Sequence, residues 1–294
     1  MKDGLRTADG FDNQRVALPP EVAEFLRAAR PTAAVSAAAR SAMARLTDRC
    51  VLAWPGLLVL TGLPVAVDAA QAALRRISSL IGDVLPQNRD GALIKHVSDR
   101  GTHIGEGVRS RYSESRFGGD LHTDGAESVP PVPDVFTLLC VRQSAEGGAL
   151  VVVHLRDLER ELGRVSGVLD TLRTPFHFDR RGDQGAGERP TIPKPVLFTQ
   201  HGRPAITYLR TYIEVGHARG GEVPSLTTRQ RAALDALDDA ISRKDVMRRG
   251  KLREGELAIV DNLSSLHGRT EFRDDPARPR LLLRTWIRVP PRQE

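Results

Sequence analysis

The sequence predicts an α+β protein with a jelly-roll core and flanking helices. From about residue 91 onwards, short β-branched segments alternate with clusters of Gly, Pro, Asp and Asn, a pattern typical of short strands and turns. No regular helical crossover and no Gly-rich phosphate-binding turn follows these segments, which favours an antiparallel sandwich over a Rossmann sheet. The first 50 residues are instead rich in Ala, Leu and Arg, which favours helices.

Four regions of the sequence are predicted to be helical. Each combines strong helix formers with apolar residues spaced three or four positions apart. The predicted regions are Pro20 to Leu46 with a break at Pro31, Ala69 to Ile81 ending at Gly82, Leu155 to Leu172, and Leu226 to Ser242 with its N-cap at Thr227 or Thr228. The clearest strands are predicted at Val51 to Leu60, at Glu256 to Asn262 and from Arg280 onwards.

Length and composition favour one domain. A chain of 294 residues with 40% hydrophobic content can bury a large core. We expect residues 1–294 to form a single domain, with 1–50 as a helical periphery and about 51–294 as the core with helical insertions. Cys50 and Cys140 lie far apart in apolar stretches, which is typical of reduced thiols in a cytoplasmic protein.

The charge pattern argues against nucleic-acid binding. The net charge is +6, but the arginines are spread among acids and aromatic residues make up only 4% of the chain, so no basic stripe with stacking rings is present. The longest apolar run, Val51 to Val67, is interrupted by turns that contain Gly and Pro, which argues against a membrane span. We expect a small-molecule partner, no nucleic acid and no membrane, and the sequence leaves a homo-oligomer open.

A His-x-Asp pair, His122 and Asp124, marks the candidate site. At the end of a strand, residues i and i+2 project from the same face, so both side chains can bind one ion. Two imidazoles and one carboxylate are the ligand set of non-haem Fe(II) oxygenases. The sequence offers the second imidazole at His267, shortly after the strand predicted at Glu256 to Asn262.

A second His-x-Asp pair, His177 and Asp179, competes with the first. Chance supplies about one such match in a chain of this composition, and the sequence contains two. The second pair leads into RRGDQGAGERP, a Gly-rich, charged loop that would have to fold back to supply metal ligands. We therefore favour the first pair. Three further histidines are predicted to be solvated or structural: His96, His103 and His217.

The downstream pattern resembles a known family, the TauD/TfdA-like and clavaminate-synthase-like Fe(II)/2-oxoglutarate dioxygenases. Members combine a His-x-Asp/Glu pair, a distal His commonly followed by Gly-Arg, and a later Arg. Here these are His122 and Asp124, His267 in an HGR setting, and Arg280, thirteen positions after His267. The resemblance runs roughly from Val51 to the C-terminus and includes LLVLTGLPV, GGDLHTDGA, PDVFTLLCVRQSAEGGALVV and NLSSLHGRTEF.

The resemblance implies a double-stranded β-helix, which is a jelly-roll core, and an oxygenase that hydroxylates or otherwise oxidises a C–H bond. His122, Asp124 and His267 would bind Fe(II), and Arg280 would bind the distal carboxylate of the cosubstrate 2-oxoglutarate, with O2 as second cosubstrate. A guanidinium fork selects a dicarboxylic acid more sharply than a lysine does. The related halogenases carry a small residue at the carboxylate position, so Asp124 argues against halogenation.

The sequence departs from the family pattern in one place. Family members often place a Thr just after a Gly-Gly turn, where it contacts 2-oxoglutarate, whereas here Gly147-Gly148 is followed by Ala149-Leu150. The second anchor of the cosubstrate is therefore not identified by the sequence.

The substrate is expected to be a small molecule, namely an amino acid or a specialised metabolite from natural product biosynthesis. By resemblance, Arg284 faces the pocket and binds a substrate carboxylate or sulfonate; the alternative is an arginine at the surface or behind the metal ligands. Arg210 and Gln87 are further candidates for substrate binding. The polar, Gly-rich stretch from Ser98 to Asp120 is expected to form a lid.

Two alternative functions stay open at the level of sequence. One is a nucleic-acid or nucleotide demethylase that uses the same chemistry. The other is a cupin-like module that binds a metal without catalysis, which an intact ligand set together with Arg280 disfavours.

Overall fold

Two β-sheets form the centre of the protein, and helices cover the outer face of each. The structure, a computed structural model, describes residues 10–88, 90–101, 114–128 and 132–290. The helices of these ranges are α1 (Pro20–Arg27), α2 (Ala33–Leu46), α3 (Val67–Ile81), α4 (Leu155–Leu162), α5 (Val168–Leu172), α6 (Arg210–Ala218) and α7 (Thr228–Ser242). The strands are β1 (Arg15–Ala17), β2 (Leu57–Thr61), β3 (Asp83–Leu85), β4 (Lys95–Val97), β5 (Gly119–His122), β6 (Val135–Arg142), β7 (Glu146–Gly147), β8 (Leu150–His154), β9 (Pro175–Asp179), β10 (Thr191–Pro195), β11 (Leu197–Gln200), β12 (Arg203–Ile206), β13 (Met247–Gly250), β14 (Leu257–Asp261), β15 (Ser265–Arg269), β16 (Phe272–Arg273) and β17 (Leu281–Arg288).

The larger sheet has the strand order β1-β2-β14-β6-β17-β3, with β4 also paired to β17, and the smaller sheet has the order β13-β8-β15-β5. Apart from the parallel pair β1 and β2, neighbouring strands are antiparallel. Three short pairs, β9 with β10, β11 with β12 and β7 with β16, lie outside the two sheets. The predicted α+β class with an antiparallel jelly-roll core is confirmed.

Alternation along the strands of the larger sheet creates a separate core on each of its faces. In β14, Leu257 and Ile259 pack among the residues of α1, α2 and α3, whereas Ala258 and Val260 pack in the cluster shared with the smaller sheet. A strand buried on both faces has a continuous apolar sequence instead of an alternating one, as the LAIV segment of β14 shows. The inner cluster lies between the sheets and forms the floor of the site described below.

The outer face of the smaller sheet is covered by the second group of helices. Val153 of β8 and Leu266 of β15 pack in one buried cluster with Leu158 of α4 and Leu234 of α7. The capping box at the start of α7, in which Thr227 and Gln230 bond each other's backbone, settles the N-cap on the first of the two predicted threonines. The predicted helices before and after Pro31 and before Gly82 are also confirmed.

Two predicted elements are wrong in part. The helix predicted from Leu155 to Leu172 is two helices, because α4 ends before Gly163 and the chain reverses through Gly167, which has a left-handed φ of 75°. The strand predicted from Val51 begins only at Leu57, because residues 47–51 continue α2 as a π-helical turn and Gly56 then turns the chain at a φ of 76°. In both cases a glycine in a turn overrides the apolar periodicity.

Within the described ranges, no helix combines the length and the hydropathy that a membrane crossing requires.

Candidate metal centre and cosubstrate pocket

Two histidines face each other across neighbouring strands of the smaller sheet. His122 ends β5 and His267 lies in the middle of β15, and the two residues are directly paired in the antiparallel register. Paired residues project from the same face of a sheet, and the ring centroids are 4.5 Å apart. The Phe136 ring, on the facing sheet, packs against His267 at 4.0 Å between centroids. A single strand pairing therefore unites the two imidazoles of the predicted ligand set.

Asp124 completes the group just beyond the end of β5. Its carboxylate and one nitrogen of each imidazole lie within 4.8 Å of one another. The Nε2 atom of His267 is 3.9 Å from Oδ1 of Asp124. Gly125 then turns the chain away with a φ of 75°, which is the left-handed region that glycine adopts without strain. Three donors of this type and spacing can hold one metal ion on one triangular face.

The backbone of the metal-binding segment is fixed by a residue that the sequence analysis did not identify. The side chain of Asn262, which follows β14, accepts a hydrogen bond from the Asp124 N–H at 2.8 Å and donates one to the Asp124 carbonyl at 3.1 Å. It also donates to the Pro133 carbonyl at 2.8 Å. Asn262 is buried, so these bonds are shielded from water.

The protonation states suit a cation. Burial lowers the pKa of His267 to about 3, and the neighbouring His122 adds to this effect, so its imidazole is neutral at physiological pH. Burial alone would raise the pKa of Asp124, but the charge of Arg284 and the hydrogen bond from Trp286 help to bring it below its usual range. The Nδ1–H of His122 donates to the Asp120 carbonyl at 2.7 Å, which leaves Nε2 as the nitrogen with the lone pair. The ligand set therefore fits a divalent metal such as Fe(II).

Both oxygens of the Asp124 carboxylate accept hydrogen bonds from β17. Nη1 of Arg284 donates to Oδ1 at 2.7 Å, and Nε1 of Trp286 donates to Oδ2 at 2.7 Å. Arg284 is held in turn by Gln87, whose Oε1 accepts from the Arg284 Nε at 2.8 Å. Trp286 is a second residue that the sequence analysis missed. Its position two residues after Arg284, on the same face of a strand, is the signal that could have identified it.

A cavity of about 680 Å³, including its open mouth, connects the two imidazoles with Arg280. It lies between the sheets, and most of its walls are apolar. The apolar lining residues are Val97, Phe136, Leu138, Leu150, Leu252 and Leu282, and the polar ones besides the histidines are Gln143, Arg269, Arg280 and Arg284.

Arg280 is a buried cation of this cavity. Its Nε donates to Oε1 of Gln143 at 3.3 Å, and its guanidinium lies 4.9 Å from the centroid of the Phe272 ring. Burial lowers its pKa to about 10, with a further contribution from the charge of Arg269, so Arg280 stays charged at neutral pH. Within the described residues, its two Nη groups have no hydrogen-bond acceptor, and they are available to an anionic ligand.

The Gly-Gly turn lies beside Arg280. Gly147 and Gly148 both have left-handed φ angles, of 64° and 72°. A Cβ on Gly148 would lie 2.6 Å from Oγ of Ser144, 3.3 Å from Oε1 of Gln143 and 3.4 Å from Nε of Arg280, so the glycine leaves room for these three polar groups. Leu150, which follows the turn, lines the cavity without a hydrogen-bonding group.

Of the residues predicted to bind substrate, only Arg284 lines the described part of the cavity. It lines the cavity and also bonds to Asp124 and Gln87, so both predicted positions, in the pocket and behind a metal ligand, describe part of its surroundings. Gln87 supports Arg284 and also donates to the Arg284 carbonyl, and the cavity lining does not include it. Arg210 is not among the cavity-lining residues, and its guanidinium is bound by three carboxylates, one on its own helix α6 and two on α7. These are Glu214, Asp235 and Asp238.

The competing pair is structural. His177 Nδ1 bonds to the Thr191 hydroxyl at 3.1 Å, and Asp179 pairs with Arg219; neither belongs to the metal-binding group. His217 is buried beside them and bonds to the backbone of His177 at 3.0 Å, as predicted for a structural histidine. His103 and residues 102–113 of the predicted lid lie outside the described residues.

The fold and the site define a class of protein: a jelly-roll with a group of two histidines and one aspartate, whose histidines line a pocket that also contains a buried arginine. The model of the taurine catabolism dioxygenase TauD, TfdA family matches residues 39–286. The chain belongs to this family and is an Fe(II)/2-oxoglutarate-dependent dioxygenase.

Individual relatives are distant. FR-33289 synthase of Streptomyces rubellomurinus (strain ATCC 31215) is 25% identical over 244 residues, which are 80% of this chain and 69% of that protein. Among solved structures, asparagine oxygenase in complex with Fe(II), (2S,3S)-3-hydroxyasparagine and succinate has a TM-score of 0.67 at 22% identity and covers 93% of each chain. The non-heme iron oxygenase OrfP in complex with Fe and alpha-ketoglutaric acid has a TM-score of 0.65 at 19% identity, also over 93% of each chain. At these identities the solved structures establish the shared fold.

Proposed function

We propose that the protein binds Fe(II) through His122, Asp124 and His267, binds 2-oxoglutarate through Arg280, and oxidises a C–H bond of an amino acid or of a metabolite derived from one. The observation that carries the proposal is the cavity that joins the two histidines of the ligand set to Arg280, a buried arginine whose Nη groups have no acceptor among the described residues. When bound, Fe(II) with 2-oxoglutarate and O2 supplies the oxidant for C–H cleavage, and the keto acid leaves as succinate and CO2.

The shape and charge of the cavity suit 2-oxoglutarate. Between the imidazoles and Arg280 the walls are aliphatic, with Leu138, Leu150 and Leu282 among the lining residues, which complement the two methylene groups of the keto acid. At the far end, the Nη groups of Arg280 can donate two parallel hydrogen bonds to a carboxylate. A monocarboxylic keto acid would leave that buried charge without a partner, which is costly.

Gln143 supports this role of Arg280. Its Oε1 holds the Arg280 Nε at 3.3 Å, while its Nε2 donates to the Leu252 carbonyl at 2.7 Å. Fixing the Nε side leaves the Nη edge of the guanidinium directed to the ligand. The Phe272 ring, 4.9 Å from the guanidinium carbon, further restricts its rotation.

The substrate class is supported by the relatives. Asparagine oxygenase and OrfP were solved with hydroxylated amino acids, (2S,3S)-3-hydroxyasparagine and (3S)-hydroxy-L-Arg. FR-33289 synthase matches 80% of this chain in sequence. A free amino acid or a related specialised metabolite is therefore our proposed substrate, and hydroxylation our proposed outcome.

Domain organisation and location belong to the same proposal. Helical layers on the outer faces of one pair of sheets support a single dioxygenase domain. The free thiols of Cys50 and Cys140 suit a reducing, cytoplasmic location.

Anaerobic titration tests the metal and cosubstrate assignments. Fe(II) and 2-oxoglutarate together should give the protein a weak visible charge-transfer band. His267→Ala should abolish the band. Arg280→Ala should raise the concentration of 2-oxoglutarate that is needed to develop the full band. Exposed His201 and half-buried Arg288 supply matched controls, His201→Ala and Arg288→Ala, which should behave as the unmodified protein does.

Succinate release tests the substrate. Free amino acids and their derivatives should stimulate succinate formation above the rate without substrate, and nucleosides should not. Stimulation by nucleosides alone would replace this substrate class with that of a demethylase. Lack of the band in the unmodified protein would overturn the proposed cofactors.

A further inference from the structure

We propose that Arg284 and Trp286 are positioning residues that hold Asp124 as a ligand through one oxygen. The inference rests on the proposed metal site. It assigns a role to two side chains on one strand of the larger sheet, opposite the sheet that carries the two imidazoles.

The argument begins with the alternation of β17. Side chains at every second position project from the same face of a strand, and Leu282, Arg284 and Trp286 follow each other in this way. Leu282 and Trp286 belong to the buried cluster between the sheets, whereas Leu281, Leu283 and Ile287 pack on the opposite side against the N-terminal helices. Arg284 and Trp286 therefore project from the same face of β17, and both contact the carboxylate of Asp124.

The two donors engage different oxygens. Arg284 donates to Oδ1, the oxygen that lies 3.9 Å from the His267 Nε2, and Trp286 donates to Oδ2. Both distances are 2.7 Å, and the three side chains are more than nine-tenths buried. A carboxylate held on both oxygens cannot rotate freely. Oδ1 can face the metal while the indole N–H keeps Oδ2 turned away from it.

Arg284 uses two of its five N–H groups within this network. Its Nε donates to Gln87 at 2.8 Å and its Nη1 to Asp124 at 2.7 Å. Releasing Asp124 in order to bind a substrate carboxylate would leave a buried carboxylate with one donor fewer, which costs more than an exposed exchange of partners.

Binding of Co(II) without 2-oxoglutarate tests the proposal independently of turnover. Co(II) takes the place of Fe(II) and reports ligand number and geometry through its visible d–d absorption, and its affinity is measured by calorimetry. Loss of a hydrogen-bonding partner behind a metal ligand typically weakens metal binding by about 10- to 100-fold. We expect Trp286→Phe and Arg284→Gln to weaken Co(II) binding in this range and to change the d–d spectrum. Gln87→Leu, which removes only the support of Arg284, should have a smaller effect in the same direction.

Matched variants separate this role from a purely structural one. Trp54→Phe alters an exposed tryptophan, and Arg288→Gln alters an arginine four positions further along β17; neither should change Co(II) affinity or spectrum. Circular dichroism verifies that each variant is folded, and Trp286→Phe, which keeps an aromatic ring in the buried cluster but removes the N–H donor, tests the proposal if Arg284→Gln does not fold.

The results discriminate between the two roles of Arg284. An unchanged Co(II) affinity and spectrum in both Trp286→Phe and Arg284→Gln would overturn the proposal. A rise only in the KM for substrate of Arg284→Gln would identify a substrate anchor instead. Loss of Co(II) binding in the variants, with no 2-oxoglutarate turnover in the unmodified protein, would leave the positioning role standing and refute the proposed function.

Discussion

His122 and His267 occupy directly opposed positions on β5 and β15, with ring centroids 4.5 Å apart. The spacing of these two proposed ligands is therefore set by the distance between two strands and not by a flexible loop. Any substitution that moves β5 relative to β15 should therefore change the affinity of the protein for the metal ion.

Gly268→Ala should alter that distance. A Cβ at Gly268 would lie 3.0 Å from the Gly119 carbonyl oxygen and 3.0 Å from a methyl carbon of Leu121, closer than ordinary contact, so β5 has to shift by a few tenths of an ångström. We expect several-fold weaker Co(II) binding with little loss of folding, measured by calorimetry and circular dichroism. Gly185→Ala, which approaches only the side chain of Glu188, is the control. Equal Co(II) affinity in both variants would contradict a spacing set by the strands.

Asn262→Leu should both destabilise the protein and loosen its metal site. The change leaves the Asp124 N–H and two carbonyl groups without their buried partner, at a cost of about 3 kcal/mol in the free energy of unfolding. Urea denaturation of the metal-free protein measures this cost, and Co(II) titration of the folded variant measures the effect on Asp124. Asn13→Leu, at an exposed position, should cost little. An unfolding free energy unchanged in Asn262→Leu would show that water replaces these bonds.

Arg280→Lys should reduce the selection of the keto acid. Lysine keeps the charge but loses the paired donors, and hydrogen bonds to charged groups contribute about 1.5–3 kcal/mol. We expect the apparent KM for 2-oxoglutarate to rise by about 10- to 100-fold and kcat at saturation to change less. Initial rates of succinate formation measure both. Gln143→Leu, which releases the Arg280 Nε, should raise the same KM by a smaller factor, and Arg288→Lys should not. An unaltered KM in Arg280→Lys would mean that the distal carboxylate binds elsewhere.

His154 should make stability fall at acidic pH. Burial lowers its pKa from 6.5 to about 4, and its neutral Nδ1 accepts the Arg156 N–H at the start of α4. The unfolded chain takes up this proton below pH 6.5 and the folded chain only below about 4, so the free energy of unfolding decreases as the pH falls between these values and levels off below them. The full loss from this group is roughly 3 kcal/mol.

A pH series of urea denaturations, with chelator present, measures the dependence on His154. His154→Asn keeps a side chain that can cap α4 and should flatten the curve between pH 6.5 and 4. His96→Asn, at an exposed position on β4, should leave it as it is. A slope that persists in His154→Asn would assign the acid sensitivity to other groups.

The prediction from sequence succeeded where the signal is local. Apolar periodicity and caps located α1, α2, α3 and α7, and the β-branched run at residues 256–262 located β14. It was wrong where a glycine turns the chain. The strand predicted from Val51 begins only after the turn at Gly56. A turn bounded by Gly163 and Gly167 divides the helix predicted from Leu155. Periodicity describes which face is buried, and it does not report a reversal of the backbone.

The sequence by itself predicted the metal ligands and the cation of the pocket, because a His-x-Asp pair, a distal His followed by Gly-Arg and an Arg thirteen positions later are short patterns that resemble those of a known family. Only the tertiary structure decided what surrounds them. Arg284 and Trp286 bond to a carboxylate more than 150 positions away in the chain, and Asn262 bonds to the same residue from a third element. The physical reason is that a hydrogen bond depends on distance and direction in space, and the packing of two sheets creates these where no pattern along the chain records them.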